Sequence, residues 1–444
     1  MSHFALLCPE DAGHLLPNGA VGRELVRRGH RITVIARASA APLAEQLDLP
    51  FIELKTGGIP YPSAHFLWLS FAAFDAGWMI GLRCGFEWDA RMLLRNLPPI
   101  IKEMKIDGFL IDQNFPAGGT TAELAGLPFV TICSALMWHE EPSVPPAFTS
   151  WPCREGWLAR VRNRLGFAAW HWYMRPVMKV INRERKKHGL PKLARVDDAF
   201  SPLAQISNLC AQFDFPRHEL PSQFHYIGSF AANRQVNTDH QFPWDWLDGR
   251  PLIFASLGTI PDPTNPPVFR KILAACRGLD AQLVLALGNW KGNHGSVRER
   301  LGAIPENALV VDFAPQMALL DRAALLITHG GSNTVLESLT RGVPMVALPR
   351  SADQIGMAAR VVNCGAGLRA SFKKCTAEEL RGLIRRGLSE DSLRQRAGQL
   401  RQAMQAAGGA PRAAEIAEEA LTTHRPVFRK ESPLPAEFAR SITQ

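Results

Sequence analysis

Short apolar runs alternate along the chain with longer segments in which apolar residues return every three or four positions. The runs stand at Phe4–Cys8, Arg31–Ala36, Ile106–Asp112 and Pro128–Cys133, and again at Pro251–Ser256, Gln282–Leu287, Ala308–Asp312, Ala323–Thr328 and Val343–Leu348. Near-continuous apolar stretches of this length predict strands covered on both faces, as in a parallel sheet. The periodic segments predict helices at Gly19–Gly29 and Gly118–Gly126, then at Ser332–Arg341, Ile355–Asn363, Ala377–Leu388, Ser392–Ala407 and Pro411–Leu421. Such βαβ alternation predicts doubly wound α/β domains. It is interrupted once, by the polar, non-periodic stretch from Ser229 to Gly249. The expected organisation is an N-terminal domain over 1–230, a linker over 231–249, a C-terminal domain over 250–423 and a tail over 424–444.

Two segments depart from the pattern. Residues 59–95 carry Tyr61, Phe66, Trp68, Phe71, Phe74, Trp78, Phe86 and Trp88 with few charges. They read either as a helix buried in its own domain or as one wall of an apolar pocket formed by Phe66, Phe71, Phe74 and Trp78, with Trp138 as a further candidate. Trp151–Arg175 mixes Trp151, Trp157, Trp170 and Trp172 with Arg154, Arg160, Arg162, Arg164 and Arg175, and a second helix follows at Val177–Gly189. Aromatic and basic groups on one helix suit either a membrane interface or ordinary packing with solvated arginines.

Composition narrows the class. With 444 residues, 46% hydrophobic and 20% charged, the chain is a folded protein with room for two cores. The net charge of +9 fits diphosphate chemistry or an anionic surface. No nucleic-acid motif accompanies it, and nucleic acid is not an expected partner. Cys8, Cys84, Cys133, Cys153, Cys210, Cys276, Cys364 and Cys375 are scattered without a C-x-x-C pair, which predicts free thiols rather than disulfides or a zinc site. With neither a signal sequence nor a spanning run evident, the expected location is the cytoplasm, with peripheral contact at the inner face of an anionic membrane as a second reading.

The densest chemistry lies between Phe313 and Gln354. Gly330 and Gly331 lie where the strand must turn into the helix at Ser332, and the cap-type residues Ser332, Asn333 and Thr334 follow at once. Free backbone N–H groups and the positive end of a helix dipole there suit a phosphate. His329 adds a donor, Glu337 lies a turn further on within reach of a ribose, and Asp353 and Gln354 follow the next strand. In the N-terminal half, His14 lies just beyond the first strand and Asp112 ends another. Each alone would pass for a loop residue or a helix cap.

These residues resemble the donor-binding signature of family 1 glycosyltransferases. The matching stretches are Phe313-Ala314-Pro315-Gln316, His329-Gly330-Gly331-Ser332-Asn333-Thr334, Glu337, Gly342-Val343-Pro344 and Asp353-Gln354, with Phe313 where the family usually has Trp. The resemblance implies the GT-B fold, two Rossmann-like domains facing a central cleft, with the chain end crossing back to the first domain. It implies that Phe313 and Gln316 face the base, that His329, Gly331, Ser332, Asn333 and Thr334 face the diphosphate, and that Asp353 and Gln354 hold the sugar. Ser256, Gly258 and Thr259 would form another phosphate-facing loop. Gly13-His14 matches the loop that supplies the family's catalytic base, and Asp112 stands where the family keeps the aspartate that orients it. The phrases Asp112–Val130 and Phe213–Pro221 bring the likeness nearest to bacterial carotenoid (zeaxanthin-type) glucosyltransferases. The implied partners are a UDP-sugar, as co-substrate, and an apolar hydroxylated acceptor. No cofactor is implied, and without an Asp-x-Asp clamp no metal either. Transfer of another nucleotide sugar to a macrolide or flavonoid, and a non-catalytic nucleotide-sugar-binding subunit, are the alternatives.

Overall fold

The computed structural model describes residues 1–56, 75–230, 242–258, 265–288 and 294–429. They form two units. The first comprises Met1–Pro146, Cys153–Phe230 and Ala407–Gln444, and the second Ala147–Pro152 and Ala231–Ala406.

The first unit begins with β1 (His3–Leu7), α1 (Ala12–Arg27), β2 (Arg31–Ala36), α2 (Ala41–Gln46) and β3 (Phe51–Glu53). It continues with α3 (Asp75–Met104), β4 (Gly108–Asp112), α4 (Pro116–Ala125), β5 (Phe129–Cys133), α5 (Trp157–Lys187), β6 (Gln205–Ser207) and β7 (Phe224–Tyr226). Its seven strands lie in the order β3-β2-β1-β4-β5-β6-β7, and β1 runs parallel to both β2 and β4, with Phe4 opposite Ile32 and Gly108. The central strands are buried along their whole length, which is why they read as unbroken apolar runs.

The second unit holds β8 (Leu252–Ser256), α6 (Asn265–Cys276), β9 (Gln282–Ala286), α7 (His294–Glu299), β10 (Ala308–Val311), α8 (Gln316–Leu320) and β11 (Ala323–Thr328). After these come α9 (Ser332–Arg341), β12 (Met345–Ala347), α10 (Asp353–Asn363), β13 (Gly367–Arg369), α11 (Ala377–Ser389) and α12 (Asp391–Ala406). The sheet order is β10-β9-β8-β11-β12-β13, again with β8 parallel to β9 and β11. The expected pair of doubly wound α/β domains is what the chain forms.

Four expectations need correction. Helix α1 begins at Ala12, so His14 lies in its first turn rather than in a loop: the Asp11 carbonyl accepts from both His14 N and Leu15 N, at 2.9 and 2.8 Å. The glycines and Pro17 masked this start, but the buried Leu15, Leu16, Val21 and Leu25 give the helix its apolar face. Helix α5 is one element of 31 residues that runs through Pro176, where the sequence suggested two; Met174, Val177, Met178 and Ile181 are buried on both sides of the proline and hold the helix together.

The domain boundaries also move. The last helix, α13 (Gly409–Thr423), belongs to the first unit, so the chain returns there at Ala407 rather than at 424. Its Ala410, Ala413, Ala417 and Ala420 join the core formed by β1, β2, β4 and α1. Glu418 pairs with Arg28 and, at 3.0 Å, with His30. Beyond it, Val427 N donates to Leu203 O at 2.9 Å and Arg429 N to Ser222 O at 2.8 Å. Of the proposed linker, residues 242–249 are packed into the second unit, where Gln282 bonds to Trp246 O and Asp248 N and Arg322 stacks over Trp244 at 4.3 Å. Residues 231–241 and 430–444 lie outside the described residues. None of the eight cysteines is in a disulfide. Among the described residues no helix is long and apolar enough to cross a membrane.

Candidate active site

In each sheet the chain order reverses between two central strands, and in open α/β sheets ligands bind outside the carboxyl ends at such a point. In the first unit this point lies between β1 and β4. The start of α1 brings His14 to it, the end of β4 brings Asp112, and Ser134 follows β5. His14 Nδ1 lies 2.9 Å from Asp112 Oδ2 and 2.9 Å from Ser134 Oγ. The same carboxylate oxygen accepts from the Ser134 hydroxyl at 2.6 Å and from Asn18 Nδ2 at 2.9 Å, while Asn114 N caps Oδ1 at 2.9 Å. Asp112 is fully buried and His14 is 19% exposed. Burial alone would push the Asp112 carboxyl up; the charge and hydrogen bond of His14, with the bonds from Ser134 and Asn114, outweigh it and hold the group below the usual carboxylate range.

The carboxylate decides the tautomer. An ionised carboxylate only accepts, so Nδ1 carries the proton given to Asp112 and Nε2 is the accepting nitrogen, with Asn114 Nδ2 3.1 Å from it. The arrangement is an imidazole with its Nε2 lone pair beside the Asn114 amide and a buried carboxylate behind it. The sequence reading missed Asn18, Asn114 and Ser134. Asn18 stands at i+4 from His14 on α1, Asn114 two residues past Asp112, and Ser134 just past a strand end, so spacing offered a signal for the first two.

In the second unit the order reverses between β8 and β11, and the glycine turn before α9 stands at the end of β11. The residue at the N-cap of α9 is Gly331, which has no side chain to cap the helix, with Ser332, Asn333 and Thr334 in the first turn. Ser332 Oγ donates instead to Asp353 Oδ2 at 2.9 Å, and Gln354 Oε1 accepts from Arg350 N at 3.1 Å. Ala352, at φ 52°, adopts a backbone conformation costing an L-residue about 1–3 kcal/mol, and it turns Asp353 into the start of α10 beside Ser332. Gln316 Nε2 donates to Glu337, which is buried on α9, and Phe313 is 53% exposed nearby in sequence.

His329 is cradled by glycines. A Cβ on Gly331 would stand 2.5 Å from its Nε2, and one on Gly258 2.9 Å away. Burial pushes the His329 imidazole down to about 4, opposed by the backbone of Ser256. The ring is thus neutral near pH 7, a hydrogen-bond donor rather than a cation. His139 in the first unit is likewise pushed down by burial, to about 3. In the unfolded chain both rings gain protons below their ordinary 6.5, so the folded state, which binds fewer, loses stability as pH falls from there toward 4. The expected loss is on the order of 3 kcal/mol per ring by the bottom of that window, with no change above it. Urea unfolding at pH 7.5 and 4.5 checks this; equal midpoints would mean that the rings are not held neutral.

The remaining candidates are placed as follows. Ser256 ends β8, buried, and its Oγ accepts from Gly258 N at 3.4 Å. Thr259, Phe66, Phe71 and Phe74 lie outside the described residues, and Trp78 falls in the first turn of α3. Trp138 is 7% exposed, with its ring edge-on to Phe86 and Trp170 at 5.5 and 5.4 Å. It is packed in an aromatic cluster.

Two doubly wound parallel-sheet units in one chain define the fold class of the GT-B glycosyltransferases. The kitacinnamycin glycosyltransferase structure matches 95% of this chain and 99% of its own with a TM-score of 0.74, at 24% identity. A family model described as the C-terminal domain of erythromycin biosynthesis protein CIII-like proteins matches residues 270–422. A zeaxanthin glucosyltransferase of Pantoea ananas is 36% identical over 96% of this chain and 98% of its own. One of Pseudescherichia vulneris is 33% identical over 95% and 98%. The chain belongs to the family 1 glycosyltransferases, and it is an enzyme of that class rather than a non-catalytic subunit.

Proposed function

We propose that this glycosyltransferase moves a hexose, glucose from UDP-glucose, onto a hydroxyl of an apolar acceptor and inverts the anomeric centre. A carotenoid is the acceptor suggested by the name shared by the two zeaxanthin glucosyltransferase relatives. The observation that carries the reading is the His14–Asp112 pair at 2.9 Å, with the lone pair on Nε2. His14 Nε2 takes the proton of the acceptor hydroxyl as that oxygen bonds to the anomeric carbon; the bond from carbon to the diphosphate oxygen breaks, and UDP leaves with the electron pair. Asp112 holds the imidazolium that results. His329 and the first N–H groups of α9 receive the negative charge of the leaving group. In the same reading Phe313 stacks on the base, Glu337 with Gln316 holds the ribose, and Asp353 and Gln354 hold the hexose. No divalent metal takes part, and the reaction takes place in the cytoplasm.

The deciding experiment incubates the purified protein, in a chelator, with UDP-glucose or dTDP-glucose and a panel of acceptors: a hydroxylated carotenoid, a flavonoid and a macrolide. A β-glucoside of the carotenoid from UDP-glucose is the expected product. Activity only with dTDP-glucose and a macrolide would replace the reading with the natural-product one, and a requirement for magnesium would overturn its metal-free step. Glu337→Ala should weaken UDP and UDP-glucose alike, by about 1.5–3 kcal/mol if a charged hydrogen bond to the ribose is lost. Gln354→Ala should weaken UDP-glucose more than UDP. Calorimetry with both ligands separates the two effects; equal losses at Gln354 would remove it from the sugar.

A further inference from the structure

Helix α5 has two apolar faces. Phe167, Trp170, Met174, Val177 and Ile181 are buried against the first unit. On the opposite side Trp157, Val161, Leu165 and Trp172 recur at spacings of four, four and seven, all on one stripe. Trp157 is 72%, Leu165 67% and Trp172 71% exposed, with Leu158 beside them. Among the described residues, exposed large apolar side chains are otherwise scattered singly, which is unremarkable on a folded protein. Ile80 on α3 is exposed as well, next in sequence to Met79, whose carbonyl accepts from Tyr173.

Charge identifies what covers this face. From Trp157 to Arg183 the helix carries no acidic residue, and it holds Arg160, Arg162, Arg164, Arg175, Lys179 and Arg183. Arg164, Arg175 and Lys179 are exposed and project beside the apolar stripe. Among the described residues, ion pairs on α5 are found at His171 with Glu140 and near the end at Glu184, Arg185 and Lys187. A second copy of this face would bring like charges together. A neutral protein groove would satisfy the apolar residues and leave the arginines unmatched. An anionic lipid surface accepts both, with indole and leucine at the acyl boundary and the cations among the headgroups.

We propose that the outer face of α5 docks this enzyme onto an anionic bilayer, lying in the interface without crossing it. The inference stands apart from the choice of sugar and acceptor, because its test uses no turnover. The full-length protein is spun with vesicles of phosphatidylcholine alone or mixed with phosphatidylglycerol. It sediments with the anionic vesicles, not with the neutral ones, and less as salt rises. Replacing Arg160, Arg164 and Arg175 together with Gln lowers the partition coefficient on the order of a hundredfold. Leu165→Glu also abolishes sedimentation while both variants keep the parent's unfolding midpoint. No sedimentation at low salt overturns the proposal. So does binding that neither variant weakens, or a concentration-dependent dimer that Leu165→Glu dissociates in the absence of vesicle binding.

Discussion

Replacing His14 with alanine lowers transfer by about 10²–10⁴-fold, the usual contribution of a positioned general base, and leaves UDP affinity near that of the parent. The two expectations separate because His14 belongs to the first unit, whereas the proposed nucleotide residues are all in the second. The variant keeps its fold: Asp112 is left with Ser134, Asn18 and the backbone of Asn114 as donors, so no buried charge is stripped of partners. Asp112→Asn disturbs more than charge. Oδ2 accepts three donors, and an amide nitrogen in that place meets the Asn18 amide and the His14 Nδ1–H as donor against donor, while a carbonyl oxygen there leaves the imidazole without its anion. Its loss of turnover approaches that of the His14 variant, and the double variant is little worse than His14→Ala alone, since both act in one step. Single-turnover assays of the three proteins check this. A double variant with multiplied losses would mean that the two side chains do separate work.

Gly331→Ala weakens UDP binding by about 1–3 kcal/mol, the range for a methyl forced into a packed site. The backbone at Gly331 (φ −61°) accepts any L-residue, so the cost does not come from conformation. It comes from the His329 ring, which a Cβ would meet at 2.5 Å. The imidazole must leave its place between β8 and α9, and the donor beside the helix start goes with it. Calorimetry with UDP, alongside an unfolding curve to confirm the fold, measures the effect. Unchanged affinity would show that the ring is not held by the two glycines or does not meet the diphosphate.

The strands were legible because a parallel sheet covered on both faces needs runs such as Leu252–Ser256 and Ala323–Thr328, and Ser332–Arg341 was legible because the glycines before it and Gly342 after it mark its ends. The three-residue strands β3, β6 and β13 left no trace, since so short a run has no period to detect. The pairing of His14 with Asp112 spans 98 positions, and neither residue announces the other; it was the resemblance that joined them. Ser134 was invisible for a simpler reason, because a serine after a strand is ordinary until its hydroxyl is found on a carboxylate. The aromatic stretches divided in a way that periodicity alone could not foresee. Trp138 and Trp170 went to the interior, Trp157 and Trp172 to the outside, and composition is the same for both.

The return of the chain to the first unit at Ala407 sets an order on synthesis. The sheet that holds His14 and Asp112 emerges from the ribosome first, but the alanine face of α13 that covers α1, β4 and β5 emerges only after the second unit is complete. The segment whose Val427 and Arg429 tie Leu203 and Ser222 to the chain end arrives later still. During most of translation the first unit therefore exposes apolar surface that its own last residues are meant to cover, a state prone to aggregation. The second unit, contiguous apart from Ala147–Pro152, closes without waiting. The half that holds His14 and Asp112 is the earlier one to be made and the later one to be finished.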